Sequence, residues 1–315
     1  MPTRITKASF TDAFDLRIKK QWMQGYGEAE HEFESIYNTV SMGDGEGSDK
    51  RYSYITTFPR WEQKDETTNT VPFETVYQGY DTTITPYLYW SAFTVGKETW
   101  RDDPSGLIGP NLATAHAQAA RETIEYLAAV PFNVPTSATG FSPWMSGGDG
   151  VALLSESHPI VTGGVYANKP ATDIDISIAS LQASLLRLAK MQNARGLPYP
   201  MKGATLVFPA DARFLVREIL GTTQMPFSAD NTINPIKGDL TPFEWSYLTD
   251  TDAWFVLANK AGGVSKKGHQ MIFLNRQSPE FDRDNVLENS DKRFKGDFRL
   301  GFGYPDWRGV DGSTG

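Results

Sequence analysis

The side chains best equipped for chemistry in this sequence are four histidines, His31, His116, His158 and His269, with the hydroxyls and carboxylates around them. A zincin-type metal site needs a second ligand one helical turn away, because only that spacing turns both side chains to one side of a helix. His31 and His116 fall in helical patterns without such a partner, and His158 precedes Pro159 in a loop. Ser155 or Ser157, His158 and Asp173 could be written as a triad, but no Gly-x-Ser-x-Gly elbow is present to expose the serine. The acidic run from Asp44 to Asp49 lacks the ligand spacing and closing glutamate of a calcium loop and reads as a polar linker. Gly262 to Lys267 is not a phosphate-binding loop and reads as a mobile hairpin, while Asp250 and Asp252 flank a turn that Asx-type bonding explains. Cysteine is absent, which removes disulfides, thiolate nucleophiles and thiolate-bound zinc. No catalytic, cofactor-binding or metal-binding residue is assigned, and the protein is expected not to be an enzyme.

Bulk properties narrow the remaining classes. A chain of 315 residues can bury one large core or two modest ones. Its formal charge of −8 disfavours a surface built to grip phosphate backbones, though not the wall of a DNA container. No apolar stretch approaches a signal-peptide core or a membrane span, so synthesis in the cytoplasm is expected. Aromatic residues make up 12%, an abundance that suits a surface covered by a partner or a bulky core alike.

The elements follow from periodicity. Phe10, Phe14, Ile18 and Trp22 recur every fourth residue and predict an amphipathic helix, and Phe33, Ile36, Tyr37 and Val40 predict a second, ending in the glycine-rich stretch 41–48. Both lack a nearby core of their own and read as an arm whose apolar faces could dock on a neighbour. Residues 51–100 are rich in Tyr, Thr, Val and Phe, with the polar stretch 62–70 as the tip of a long hairpin. An isolated two-stranded ribbon is marginal in water, so a neighbour should complete it. An alanine-rich helix is expected over 110–130, stopped by Pro131, with Leu112, Ala115, Ala119, Thr123 and Tyr126 on one face, joined by Ile124 and Leu127. Residues 132–171 read as a long irregular loop that is functional or packs on a partner. A second helix follows over 174–195, then a β-α unit over 204–220, strands at 245–248, 253–257 and 270–274, and a closing strand at 295–304. The fold class is α+β.

This order of parts resembles the tailed-phage major capsid fold. The stretches Leu153 to Pro159, Phe227 to Asn234, Leu248 to Phe255 and Phe298 to Arg308 are similar to the Mu-like major head subunits within that group. The resemblance implies an N-terminal arm (1–50), an extended β loop (51–100), a peripheral domain (101–197) with its spine helix, an axial domain (198–275) and a closing segment (276–315) returning to the peripheral domain. It further implies an icosahedral head of pentamers and hexamers enclosing double-stranded DNA, with a portal and, in some relatives, a decoration protein as partners. No coiled-coil segment precedes the arm, so a separate scaffolding protein and no large removed prosegment are expected. Some relatives form Lys–Asn isopeptide bonds. Lys64 and Asn289 are the residues that would serve, but the required carboxylate has no clear place, Gly296 standing beside Asp297, and cross-linking is not expected.

As contacts between subunits we single out Phe14 and Trp22 in the arm, Trp61, Phe73 and Tyr77 in the loop, and Trp307 and Arg308 in the tail, aromatic or arginine anchors of the kind that dominate interfaces. Each could equally be core. Two other readings stand beside the phage shell: an encapsulin-like compartment of the same fold, and a soluble hydrolase or carbohydrate-binding protein with an aromatic cleft.

Overall fold

The charged-apolar alternation of the tail builds two long strands in the computed structural model, β10 (Ile272–Asn285) and β11 (Lys292–Gly303), paired antiparallel. Along β11, Phe294, Gly296, Phe298 and Leu300 turn inward while Arg293 and Lys295 point to solvent, the two-residue period of a half-buried strand. The structure describes residues 11–27, 31–43, 45–61, 63, 73–103, 108–139, 145, 147–161, 163–225, 232–261, 267–285 and 291–315.

Strands β1 (Asn38–Ser41) and β4 (Tyr87–Val95) complete this first sheet in the order β1-β10-β11-β4, with β1 parallel to β10. A ribbon of β2 (Lys50–Ile55) and β3 (Gln78–Ile84) leads into it. The long helix α3 (Ile108–Asn133) packs on the inner face, after the short helix α2 (Lys97–Arg101). Helix α1 (Thr11–Tyr26) runs against α3, burying Ile18 and Trp22 with Ala113, Ala117, Phe281 and Phe294. A Cβ on Gly25 would lie 3.1 Å from Cγ2 of Thr114, so glycine and alanine together let the two helices approach closely.

The second sheet has the order β12-β9-β7-β8, with β7 (Gly203–Phe208), β8 (Thr241–Glu244), β9 (Trp254–Ala258) and β12 (Val310–Ser313). Strand β9 is buried on both sides. Phe255 and Leu257 face the core shared with α3 and the first sheet, whereas Trp254 and Val256 face α4 (Ile178–Ala189) and α5 (Arg213–Gly221). Helix α4 opens on a capping box in which Ser177 and Ser180 bond each other's backbone N–H, which is why it starts at residue 178 rather than 174.

Several expectations change. Residues 33–40 are not a helix: a 3-10 turn (Glu32–Ser35) leads straight into β1, because the backbone from Asn38 onward is engaged in the ladder with β10, while Phe33, Ile36 and Tyr37 bury in the central core. The arm therefore has a core, inside its own subunit. Pro131 lies within α3 rather than ending it; its missing N–H falls in the last turn, and Val130, Pro131 and Phe132 are all buried. The stripe Leu112, Ala115, Ala119, Thr123 and Tyr126 faces outward, and Ala113, Ala117, Ile124, Leu127 and Ala128 face in. Residues 245–248 form a turn after β8 rather than a strand. Much of the long loop after α3 packs inside the subunit, with Leu153, Leu154 and His158 buried and, among the described residues, only the two-residue pair β5 (His158–Pro159) and β6 (Val165–Tyr166) forming strands. The closing segment divides: β10 and β11 belong to the first sheet, but β12 joins the second.

Candidate inter-subunit surface and its supports

The ribbon β2–β3 carries the most exposed aromatic surface named from sequence. Trp61 is 97% exposed, Phe73 95% and Tyr77 52%, with Ile55 and Phe58 exposed beside them. Its base is fixed to the body. Thr56 and Tyr77 exchange backbone and hydroxyl bonds of 2.9–3.0 Å, and Asn193 Nδ2 donates to Thr57 Oγ1 over 2.8 Å. Arg195 reaches across the ribbon, donating to the Thr75 carbonyl, pairing with Glu74 at 3.8 Å and lying 5.9 Å over the Tyr77 ring. Gly79 is required opposite Tyr54, whose Cδ1 would be 2.6 Å from any Cβ there. The proposed tip, including Lys64, and the tail residue Asn289 lie outside the described residues, as does the side chain of Phe14.

Three of the anchors singled out from sequence are internal. Trp22 is 1% exposed, stacked between Tyr26 and Phe281, and its indole N–H donates to His116 Nδ1. Trp307 is 2% exposed and Arg308 5%; the arginine donates to the Gln192 carbonyl at 2.9 Å and to Asp306 at 3.0 Å. The subunit's own core covers them, leaving no surface for a neighbour. Sequence reading missed instead Leu88 and Trp90 on β4, 51% and 73% exposed. The signal was present: Tyr89, Phe93 and Val95 alternate inward, which forces Leu88 and Trp90 out. Lys295 of β11 lies 5.5 Å over the Trp90 ring.

Beneath these surfaces, buried polar side chains tie the loop after α3 to the chain end. His158 Nδ1 meets Asp149 Oδ2 at 2.7 Å and its Nε2 meets Asn168 Oδ1 at 3.1 Å. Asn168 is oriented by its Nδ2, which donates to the carbonyls of Leu153 and Val310. Both ring nitrogens of His158 therefore have oxygen partners. No serine touches that ring: Ser155 and Ser157 bond each other, and Asp173 pairs with Lys169 at 3.2 Å. The triad drawn from sequence does not form. Arg187 grips Asp311 through two 2.7 Å bonds; burial nonetheless raises the carboxyl of Asp311, against the lowering effect of that arginine.

The other histidines are structural as well. His31 sits ahead of the 3-10 turn rather than in a helix, 3.2 Å from the buried Glu125, which also accepts the backbone N–H of Glu32 and of Phe33. His269 is buried and desolvation, helped by Lys260, pushes it down to about 4. Asp252 donates its N–H to Asp250 Oδ1, the Asx turn expected, and the stretch 262–266 lies outside the described residues. Among the described residues no cluster of His, Asp and Glu could hold a metal ion, and no helix is long and apolar enough to cross a membrane.

The exposed aromatic side chains beside the β2–β3 ribbon and on β4 thus sit on a two-sheet body with a long helix packed on the first sheet. The sequence pattern of the family described as phage capsid protein matches residues 83–310. The chain belongs to that family. It is a phage capsid protein, a structural component of the virion. Among solved structures, this capsid protein shares its α+β fold with a chain of Microbacterium phage Oxtober96, at TM-score 0.55 and 12% identity over 90% of this chain and 91% of that one. It is also similar to the capsid of the native GTA particle, at 0.54 and 14% over 90% of each chain. The virus-like particle from Pyrococcus furiosus aligns at 0.53 and 10%, over 94% of this chain and 97% of that one. No curated protein sequence matches significantly.

Proposed function

We propose that copies of this major capsid protein gather as pentamers and hexamers into an icosahedral head that encloses double-stranded DNA. The observation that carries this is the segment between β2 and β3, whose Trp61 and Phe73 are almost wholly solvent-exposed in the single subunit. Exposed apolar side chains of that size favour burial against a second copy, and interfaces of about 1,200–2,000 Å² suffice for specific association. In this reading residues 1–50 are the arm, 51–100 the extended loop, 101–197 the peripheral domain, 198–275 the axial domain and 276–315 the closing segment. Phe14, Trp61, Phe73 and Tyr77 remain contacts to neighbours, joined by Leu88 and Trp90.

The same reading makes the subunit non-enzymatic, synthesised in the host cytoplasm, and assembled with a separate scaffolding protein and a portal, with room for a decoration protein outside. Membership of the Mu-like head subunits rests on the four sequence stretches that resemble them. The acidic net charge of −8 suits a wall that does not hold packaged DNA tightly.

Electron microscopy and size-exclusion chromatography of the purified chain, with the scaffolding protein of the same phage added, test the reading. Closed shells or hexameric sheets are expected from the natural chain. The double variant Trp61→Ser, Phe73→Ser should keep its circular dichroism and lose the particles. Small species that persist with scaffold present would favour the soluble-protein reading, and particles loaded with protein rather than DNA the compartment reading.

A further inference from the structure

Trp22, on the face of α1 that meets α3, donates its indole N–H to Nδ1 of His116 over 3.1 Å. An indole nitrogen can only donate, so the bond exists only while that Nδ1 carries no proton. His116 is thereby held neutral, with its proton on Nε2, which is buried beside the backbone of Ser91. The ring stands over the first sheet, 5.5 Å from Phe93 and 6.0 Å from Phe281. A Cβ on Gly296 would come within 2.6 Å of its Cε1, so the glycine provides the space the imidazole fills.

We infer that His116 is an acid-sensitive catch for helix α1, which stays docked while the imidazole is neutral and is released when Nδ1 takes a proton. Protonation replaces a donor-acceptor pair with two donors facing each other, and it places a charge among Trp22, Phe93 and Phe281. Among the described residues no free carboxylate faces the ring. Asp297 of β11 lines the same groove but is engaged by Lys295 at 3.1 Å and Gln277 at 3.0 Å. From β10 the facing group is Phe281 and from β4 the Ser91 backbone, neither ionisable. On α1, Lys19 and Lys20 are exposed, and Tyr26, stacked on Trp22, is raised by burial to about 12 and stays neutral.

Release would be confined to α1. Beyond residues 28–30 the chain is pinned independently, by Glu125 accepting the N–H of Glu32 and of Phe33 and by β1 pairing with β10. The direction with pH follows from linkage. Desolvation lowers His116 below its ordinary 6.5, so the docking it supports is complete above that value and is lost as pH falls through the lowered one.

Hydrogen exchange read by mass spectrometry on the full chain between pH 7.5 and 5 tests this, after correction for the intrinsic rate, with α4 as internal reference. Protection of residues 11–26 should fall by up to about tenfold per pH unit below the ordinary histidine value while α4 holds. In His116→Gln the amide oxygen still accepts from Trp22 and does not titrate, so the dependence should vanish. Trp22→Phe removes the donor but keeps the ring, and should weaken protection at neutral pH and flatten its slope. The catch is overturned if α1 protection in the natural chain ignores pH, or if the slope persists in these variants. Should His116→Gln fail to fold, Trp22→Phe decides alone.

Discussion

The imidazole of His158 lies flat on the indole of Trp307, ring centroids 4.0 Å apart and planes within 12° of parallel. Stacked on one side and bonded at both nitrogens, this histidine joins the loop after α3 to the turn that precedes β12. Replacing it with alanine takes the histidine from the carboxylate of Asp149, itself 1% exposed, whose Oδ1 keeps the N–H of Val151. We expect His158→Ala to cost about 3–5 kcal/mol, read from the urea midpoint of the subunit, and the double variant with Asp149→Ala to recover part of that loss. A loss within experimental error would show the pair to be dispensable.

Asp311 supplies a second test, of pH dependence. Its carboxyl is raised by burial despite the bidentate Arg187, so the folded chain holds this proton at a pH where the unfolded chain has released it. Between 3.8 and the raised value, its contribution to stability therefore grows as pH falls. Relative to Asp311→Asn, the natural chain should gain stability on acidification through that window in denaturation series. The opposite trend would mean that the arginine outweighs burial.

Gly296→Ala places a methyl group 2.6 Å from His116 Cε1, on the strand between β10 and β4. Overpacking of this kind costs about 1–3 kcal/mol. Because the clash is with one ring, adding His116→Ala should relieve it, and a double-mutant cycle on melting temperature should show clear non-additivity.

Which parts were legible depended on how many faces an element buries. Strand β11 buries one, so Phe294, Phe298 and Leu300 stood out at every second residue, and α4 was visible through Leu181, Leu185 and Leu188. Helix α3 was found nearly to its ends, but its inner face was not separable from its outer one: in an alanine-rich helix both sides look apolar, and the packing of α1 at Gly25 is what buries Ala113 and Ala117. The segment with Phe33, Ile36 and Tyr37 has the spacing of a helical face, and the strand it enters is set by pairing with β10, a partner too distant in the chain to show in local spacing. Trp22, Trp307 and Arg308 were misplaced because residue type alone cannot distinguish an anchor for a neighbour from an anchor for the chain's own loops. His158 was visible as a residue but not as a clamp, since Asp149, Asn168 and Trp307 converge on it only in space.

Strand order in the first sheet also has a bearing on synthesis. Asn38 is in register with Ile272, and β4 has no partner in that sheet except β11. A growing chain thus carries two of the four strands for most of its translation without the pair that joins them, and pairings this distant in sequence form late and slowly. A truncated product ending before β11 has no complete first sheet and no seat for β4. The first sheet is therefore completed only once β11 has been made and can join β4 to β10.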